Sequence, residues 1–171
     1  MQDKFIFLDV DGVINPLINI RIKKQRGEPT SSYHIQLPGD KLYRLKRIVD
    51  STGAKIILSS SWRIGFDRGT MTPSPSVINL SSQLQRYGMT ISGFTPLQYD
   101  RHRGTEISIW LTRFQKQFGY MPKYIIIDDE LCDIIDIHRG HCVKTTSLLG
   151  LQDEHVNIAI NLLNHWGDLY D

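Results

Sequence analysis

The sequence predicts a single α/β domain built on a mostly parallel sheet. Three short apolar runs carry this reading. Phe5-Ile6-Phe7-Leu8 runs into Asp9, Ile56-Ile57-Leu58 into Ser59-Ser60-Ser61, and Tyr124-Ile125-Ile126-Ile127 into Asp128-Asp129. Continuous Ile-rich runs of this length suit strands buried on both faces, as parallel sheets require. Helical patterns alternate with the runs, which is the order of an α/β domain.

Taken in order, residues 15–38 separate the first strand from its helix by more than an ordinary connection. Ile18, Ile20 and Ile22, then Tyr33, Ile35 and Leu37, alternate like a small β-hairpin turning at Gly27-Glu28-Pro29, so a hairpin flap is expected here. Leu42, Leu45, Ile48 and Val49 predict a helix with Asp40 as N-cap and Gly53 as its stop. Residues 65–76, with Gly65, Gly69, Pro73 and Pro75, read as an irregular loop. A helix follows over Val77–Tyr87, closed by Gly88, then a short strand near Met89–Ile91. Ile107, Trp110, Leu111, Phe114 and Phe118 mark a helix that ends at Gly119. A short strand near Cys142–Lys144 and a helix through Val156, Ala159, Ile160 and Leu163 complete residues 1–171, which no repeat or linker divides.

Composition narrows the function. At 171 residues the chain is one domain's worth and can bury a real core without a staple. Its 20 Lys and Arg against 18 Asp and Glu leave +2, which excludes a polyanionic tail or a histone-like basic protein. Yet Arg21, Lys23, Lys24 and Arg26 against Glu28 give the 15–38 segment +3 locally, more than the whole chain. No apolar run approaches the roughly 20 residues of a membrane span. The first apolar run meets Asp9 before a secretory leader could form. With only Cys132 and Cys142, and no CxxC pair, a reducing cytoplasmic setting with free thiols is expected.

The chemistry concentrates at the strand ends, where open α/β sheets bind ligands. Asp9-Val10-Asp11-Gly12-Val13 sets two carboxylates two residues apart at one such end, with Gly12 free to turn the chain away. Carboxylates are hard ligands suited to Mg²⁺ together with phosphate oxygens. A solvated acidic turn would look the same alone, but Asp128-Asp129 lies at another strand end. Four acids in one crevice repel one another unless a cation neutralises them. Ser59-Ser60-Ser61-Trp62-Arg63 adds hydroxyls and N–H groups that can hold phosphate oxygens, with Trp62 otherwise a core residue. Arg103 opens a helix at its positive end, where a cation is disfavoured, so a local anion is expected beside it; Arg101 is the alternative for this role. Cys132, His138, His141 and Cys142 match no closed zinc spacing.

These motifs resemble the haloacid dehalogenase superfamily of phosphotransferases: DVDGV at Asp9–Val13, the serine of ILSS at Ser59 or Ser60, a basic residue at Arg103, and the acidic pair Asp128–Asp129, in that order. SSSWR, RGTEISIWL and GLQDEHVNIAINLL are similar to compact members that accompany RNA-repair enzymes. The resemblance implies a single Rossmann-like domain and a Mg²⁺-dependent phosphatase. Asp9 would be the nucleophile and Asp11 the general acid and base. Ser59 or Ser60, with Arg103, would hold the phosphoryl group. Asp9, Asp11 (through its backbone carbonyl) and Asp128 or Asp129 would bind the metal. The superfamily usually has Lys where this chain has Arg103.

Both insertions are too short for a cap domain, which favours bulky substrates such as nucleic-acid 3′-phosphates, with the basic 21–26 segment against a phosphate backbone. A phosphorelay receiver would carry its acidic pair after the first strand, the reverse of this order. A catalytically idle relative would not need both Asp9 and Asp11.

Overall fold

The computed structural model describes residues 2–64, 73–99 and 102–165. Five strands form one sheet: β1 (Lys4–Leu8), β2 (Lys55–Leu58), β3 (Ile91–Phe94), β4 (Lys123–Asp128) and β5 (Cys142–Lys144). Their order is β3-β2-β1-β4-β5 and every pairing is parallel. The helices are α1 (Leu17–Gln25), α2 (Gly39–Thr52), α3 (Pro75–Gln85), α4 (Arg103–Phe118), the short α5 (Ile135–His138) and α6 (Asp153–Asn164). None among the described residues is long and apolar enough to cross a membrane.

Side-chain alternation sorts the strands onto two cores. Ile6 and Leu8, Ile56 and Leu58, Ile125 and Ile127 face a large cluster with Leu42, Leu45, Ile48, Leu80, Leu84, Val156 and Leu163, from α2, α3 and α6. Phe5, Phe7, Ile57, Tyr124 and Ile126 face Ile107, Leu111 and Phe114 of α4. Burial on both faces is what the unbroken apolar runs anticipated. Gly53 and Gly119 end α2 and α4 at φ 69° and 82°, a left-handed conformation in which glycine carries no Cβ penalty.

Three expectations shift. α2 starts at Gly39 after Pro38, so Asp40 lies in its first turn and does not cap it. β3 begins at Ile91, two residues later than the Met89 start read from sequence, and Met89 is buried in the larger core. The hairpin over 15–38 does not form: Leu17–Gln25 is helical. Pro16 sits in extended backbone at the helix start, and the Leu17 and Ile18 amides, which have no partner within the helix, donate to Ser147 and Leu148 carbonyls at 2.9 and 3.2 Å. Lys23 and Lys24 occupy the last turn, where cations suit the dipole. Within the return segment, Ile35 and Leu37 are buried in the larger core. Of the 65–76 loop, residues 65–72 lie outside the described residues; Ser74 caps α3 by accepting the Val77 amide at 3.3 Å.

Candidate active site

Parallel register assembles the site. Leu8 pairs with Leu58 and with Ile127, so the residues that follow, Asp9, Ser59 and Asp128, emerge side by side. The Asp9 amide donates to the Ile127 carbonyl at 3.0 Å and the Ser59 amide to the Leu8 carbonyl at 2.9 Å. These bonds carry the ladder one step past the strands and hold the acids at fixed spacing.

Asp9, Asp128 and Asp129 each bring a carboxylate oxygen within 4.8 Å of the others. Gly12 is what admits Asp129. A Cβ built on Gly12 would lie 2.2 Å from the Asp129 Cγ, and the backbone there has φ 74°. The glycine therefore makes room for the third acid as well as turning the chain.

Arg103 reaches this cluster from the first position of α4. Its Nη1 donates to Asp9 Oδ1 at 2.9 Å and to the Ser59 carbonyl, and lies 3.5 Å from Asp128 Oδ2. The expected anion beside a helix-start cation is thus present. Arg101 lies outside the described residues. Of the two serines, Ser60 Oγ accepts the Trp62 amide at 3.4 Å, and its side chain helps to lower the Asp9 carboxyl, while Ser59 Oγ is buried with no hydrogen-bond partner among the described residues.

Burial raises both inner acids. Asp9 is pushed up to about 6, chiefly by desolvation, with Arg103 and the Ser60 hydrogen bond pulling the other way. Asp128 is pushed up to about 7 by desolvation and then by the neighbouring Asp9 charge. A bound cation would favour the ionised form of such a cluster, and an all-oxygen carboxylate set suits Mg²⁺. The donor set and the cost of its burial both fit that metal.

Asp11 stands apart from the cluster and is exposed. Trp62 Nε1 donates to its Oδ2 at 2.8 Å, and Asn15 Nδ2 donates to its Oδ1 at 2.7 Å. Asn19 Nδ2 in turn donates to Asn15 Oδ1 at 3.1 Å, linking α1 to the carboxylate. Sequence reasoning missed Asn15 and read Trp62 only as core. The available signal was that a buried indole N–H needs an acceptor.

A second buried pair fixes the walls. Arg63 and Glu106 form an ion pair with side chains only 4% and 2% exposed. Arg63 Nε also donates to the Thr95 carbonyl at 3.2 Å, and Glu106 Oε1 accepts the Gln98 amide at 2.9 Å. The serine turn, the exit of β3 and the first turns of α4 are thereby tied together. His138 spends its ring nitrogens on the Gly104 carbonyl and the Tyr124 hydroxyl.

A family model described as the HAD domain in Swiss Army Knife RNA repair proteins matches residues 5–156. The chain belongs to that family. No curated protein and no solved structure matches it. Membership makes this a haloacid dehalogenase domain, and at the level of the superfamily a hydrolase fold. The matched span includes every acid of the site, Arg103 and both serines. Within the matched span, Arg103 meets two carboxylates and a carbonyl through the single nitrogen Nη1.

Proposed function

We propose that this HAD domain is a Mg²⁺-dependent phosphomonoesterase that works through an aspartyl-phosphate on Asp9 and acts on nucleic-acid 3′-phosphates. The observation that carries the reading is Asp9 itself, 8% exposed and bonded by Arg103, with Asp128 and Asp129 within 4.8 Å.

Asp9, Asp128 and Asp129, with the Asp11 backbone carbonyl, would hold Mg²⁺. Bound there, the metal would neutralise charge so that an anionic carboxylate and an anionic phosphate can approach. An Asp9 oxygen attacks phosphorus and the bond to the leaving oxygen breaks; Asp11 gives that oxygen its proton. In the second half Asp11 takes a proton from water, the water oxygen attacks phosphorus, and the Asp9–phosphorus bond breaks to release phosphate. Ser59 or Ser60 and Arg103 hold the phosphoryl oxygens, with Arg103 opposing the charge that builds on them.

The choice of substrate rests on what borders Asp11. The 15–38 insertion is spent on α1 and a return segment buried through Ile35 and Leu37, so it builds no cap. α1 exposes Arg21 and Lys24, and Arg26 beyond its end, a basic face suited to a phosphate backbone. A match to a domain of RNA-repair proteins fits the same reading.

The test compares a 3′-phosphorylated oligoribonucleotide with phenyl phosphate in Mg²⁺. The proposal expects a higher kcat/KM for the oligonucleotide, an advantage that shrinks with added salt and in Arg21→Glu/Lys24→Glu. Equal turnover of the two, with no salt dependence, would overturn the choice of substrate and leave the phosphatase chemistry standing.

A further inference from the structure

Arg103 is held by its backbone as firmly as by its side chain. The Arg103 amide donates to Asp133 Oδ2 at 2.6 Å. Asp133 comes from the segment between β4 and α5, which opens with Asp129 directly after Asp128 ends the strand. At the next residue the two segments touch. A Cβ on Gly104 would lie 2.3 Å from the Asp133 carbonyl oxygen and 3.2 Å from Ile137 Cδ1, so only glycine permits the approach.

A second tether lies behind the first. His138 Nε2 lies 2.9 Å from the Gly104 carbonyl. A carbonyl only accepts, so Nε2 carries the proton, and in the neutral ring Nδ1 accepts from the Tyr124 hydroxyl at 3.0 Å. His138 is 3% exposed and sits one helical turn beyond Ile134. The start of α4 is therefore fastened at two successive residues, Arg103 to the segment that follows the acids and Gly104 to α5 beyond it.

We propose that Asp133 is a positioning residue for Arg103, with His138 as its second tether. By fixing the first amide of α4 it sets where the guanidinium lies between Asp9, the Ser59 carbonyl and Asp128. Its charge also offsets a cation placed at the positive end of a helix. The proposal rests on the phosphatase reading only for the role of Arg103; the mechanical link between the two residues stands apart from it.

A double-mutant cycle tests the link, using Asp133→Ala, Arg103→Ala and the double variant. The first readout is turnover of p-nitrophenyl phosphate in Mg²⁺; the second is affinity for inorganic phosphate by calorimetry. Asp133→Ala is expected to lower kcat by about tenfold to a hundredfold, as a misplaced catalytic group does. KM is expected to change much less. In the Arg103→Ala background the same substitution is expected to add nothing in either readout. Asp133→Asn, which keeps an acceptor oxygen, is expected to recover most of the loss, separating positioning from a folding defect. Equal losses with and without Arg103, or an unchanged kcat and phosphate affinity in Asp133→Ala, would overturn the proposal. If the wild type turns over no phosphate ester, the phosphatase reading fails, and the phosphate-affinity cycle still decides the positioning role.

Discussion

The indole Nε1 of Trp62 donates to Oδ2 of Asp11 at 2.8 Å while the Trp62 side chain stays almost wholly buried, at 4% exposure. A rigid core residue thus aims an exposed carboxylate. With Asn15 on the other oxygen, each Asp11 oxygen accepts one hydrogen bond, which orients the carboxylate and leaves a lone pair free for a proton.

Trp62→Phe removes the donor and keeps an aromatic body in the core. If Asp11 delivers the proton to the leaving oxygen, kcat falls by about tenfold to a hundredfold, less than the roughly 10²–10⁴-fold of losing the acid itself, because Trp62 orients the proton donor and does not replace it. The loss is larger for phenyl phosphate, a poor leaving group, than for p-nitrophenyl phosphate. Steady-state kinetics on the two esters check this; equal losses would mean that Trp62 supports the fold and not Asp11.

Gly12→Ala forces a Cβ into the space of the Asp129 carboxylate, 2.2 Å from its Cγ, and imposes φ 74° on an L-residue. Asp129 is displaced, and affinity for Mg²⁺ drops by about tenfold or more, the usual scale when metal ligands lose their support. Calorimetric Mg²⁺ titration reads the effect directly. Unchanged affinity would remove Asp129 from the ligand set.

Glu106→Ala leaves Arg63 charged and uncompensated, with its side chain 4% exposed. Breaking a buried pair on one side costs about 3–5 kcal/mol. In a protein of this size that lowers Tm by roughly 10 °C. Calorimetric melts check the figure. A variant that melts like wild type would show that the pair does not hold the serine turn to α4.

The raised acids give the metal-free protein a distinctive pH dependence. Asp9 and Asp128 titrate at about 6 and about 7 when folded, above an ordinary carboxyl of the unfolded chain. Between roughly pH 4 and 7 these two groups therefore bind more protons in the folded state than in the unfolded state. Their contribution to stability falls as pH rises through that window, while His138, His141 and His155, lowered chiefly by burial, contribute in the opposite sense. Asp128→Asn, which carries no charge at any pH, flattens the fall and raises Tm at pH 7.5 in EDTA. Added Mg²⁺ stabilises the wild type more at pH 7.5 than at pH 5. Thermal melts across the range test both; wild-type and Asp128→Asn profiles of the same slope in EDTA would contradict the account of the acid cluster.

The strands were legible because each is buried on both faces, which leaves an unbroken apolar run ending abruptly in polar residues. Asp9, Ser59, Ser60 and Asp128 were legible for the same reason, since parallel register carries adjacent strand ends to one row. α1 was misread because Ile18, Ile20 and Ile22 alternate, although Ile18 and Ile22 share the exposed face of a helix. What settles that segment is distant: the Ser147 and Leu148 carbonyls that accept its first amides. Trp62 on Asp11, Glu106 on Arg63 and Asp133 on Arg103 were invisible because each joins residues 30 to 51 positions apart. Local pattern reports what a residue does to its own element, not which neighbour it meets.

The central claim is hydrolysis of a phosphate monoester by Asp9 with Mg²⁺. The most direct measurement is phosphate release from p-nitrophenyl phosphate, with Mg²⁺ and with EDTA, for the wild type and Asp9→Asn. The account predicts turnover in the wild type only when Mg²⁺ is present, and none in Asp9→Asn, which still folds. Turnover that survives EDTA, or that persists in Asp9→Asn, would contradict it.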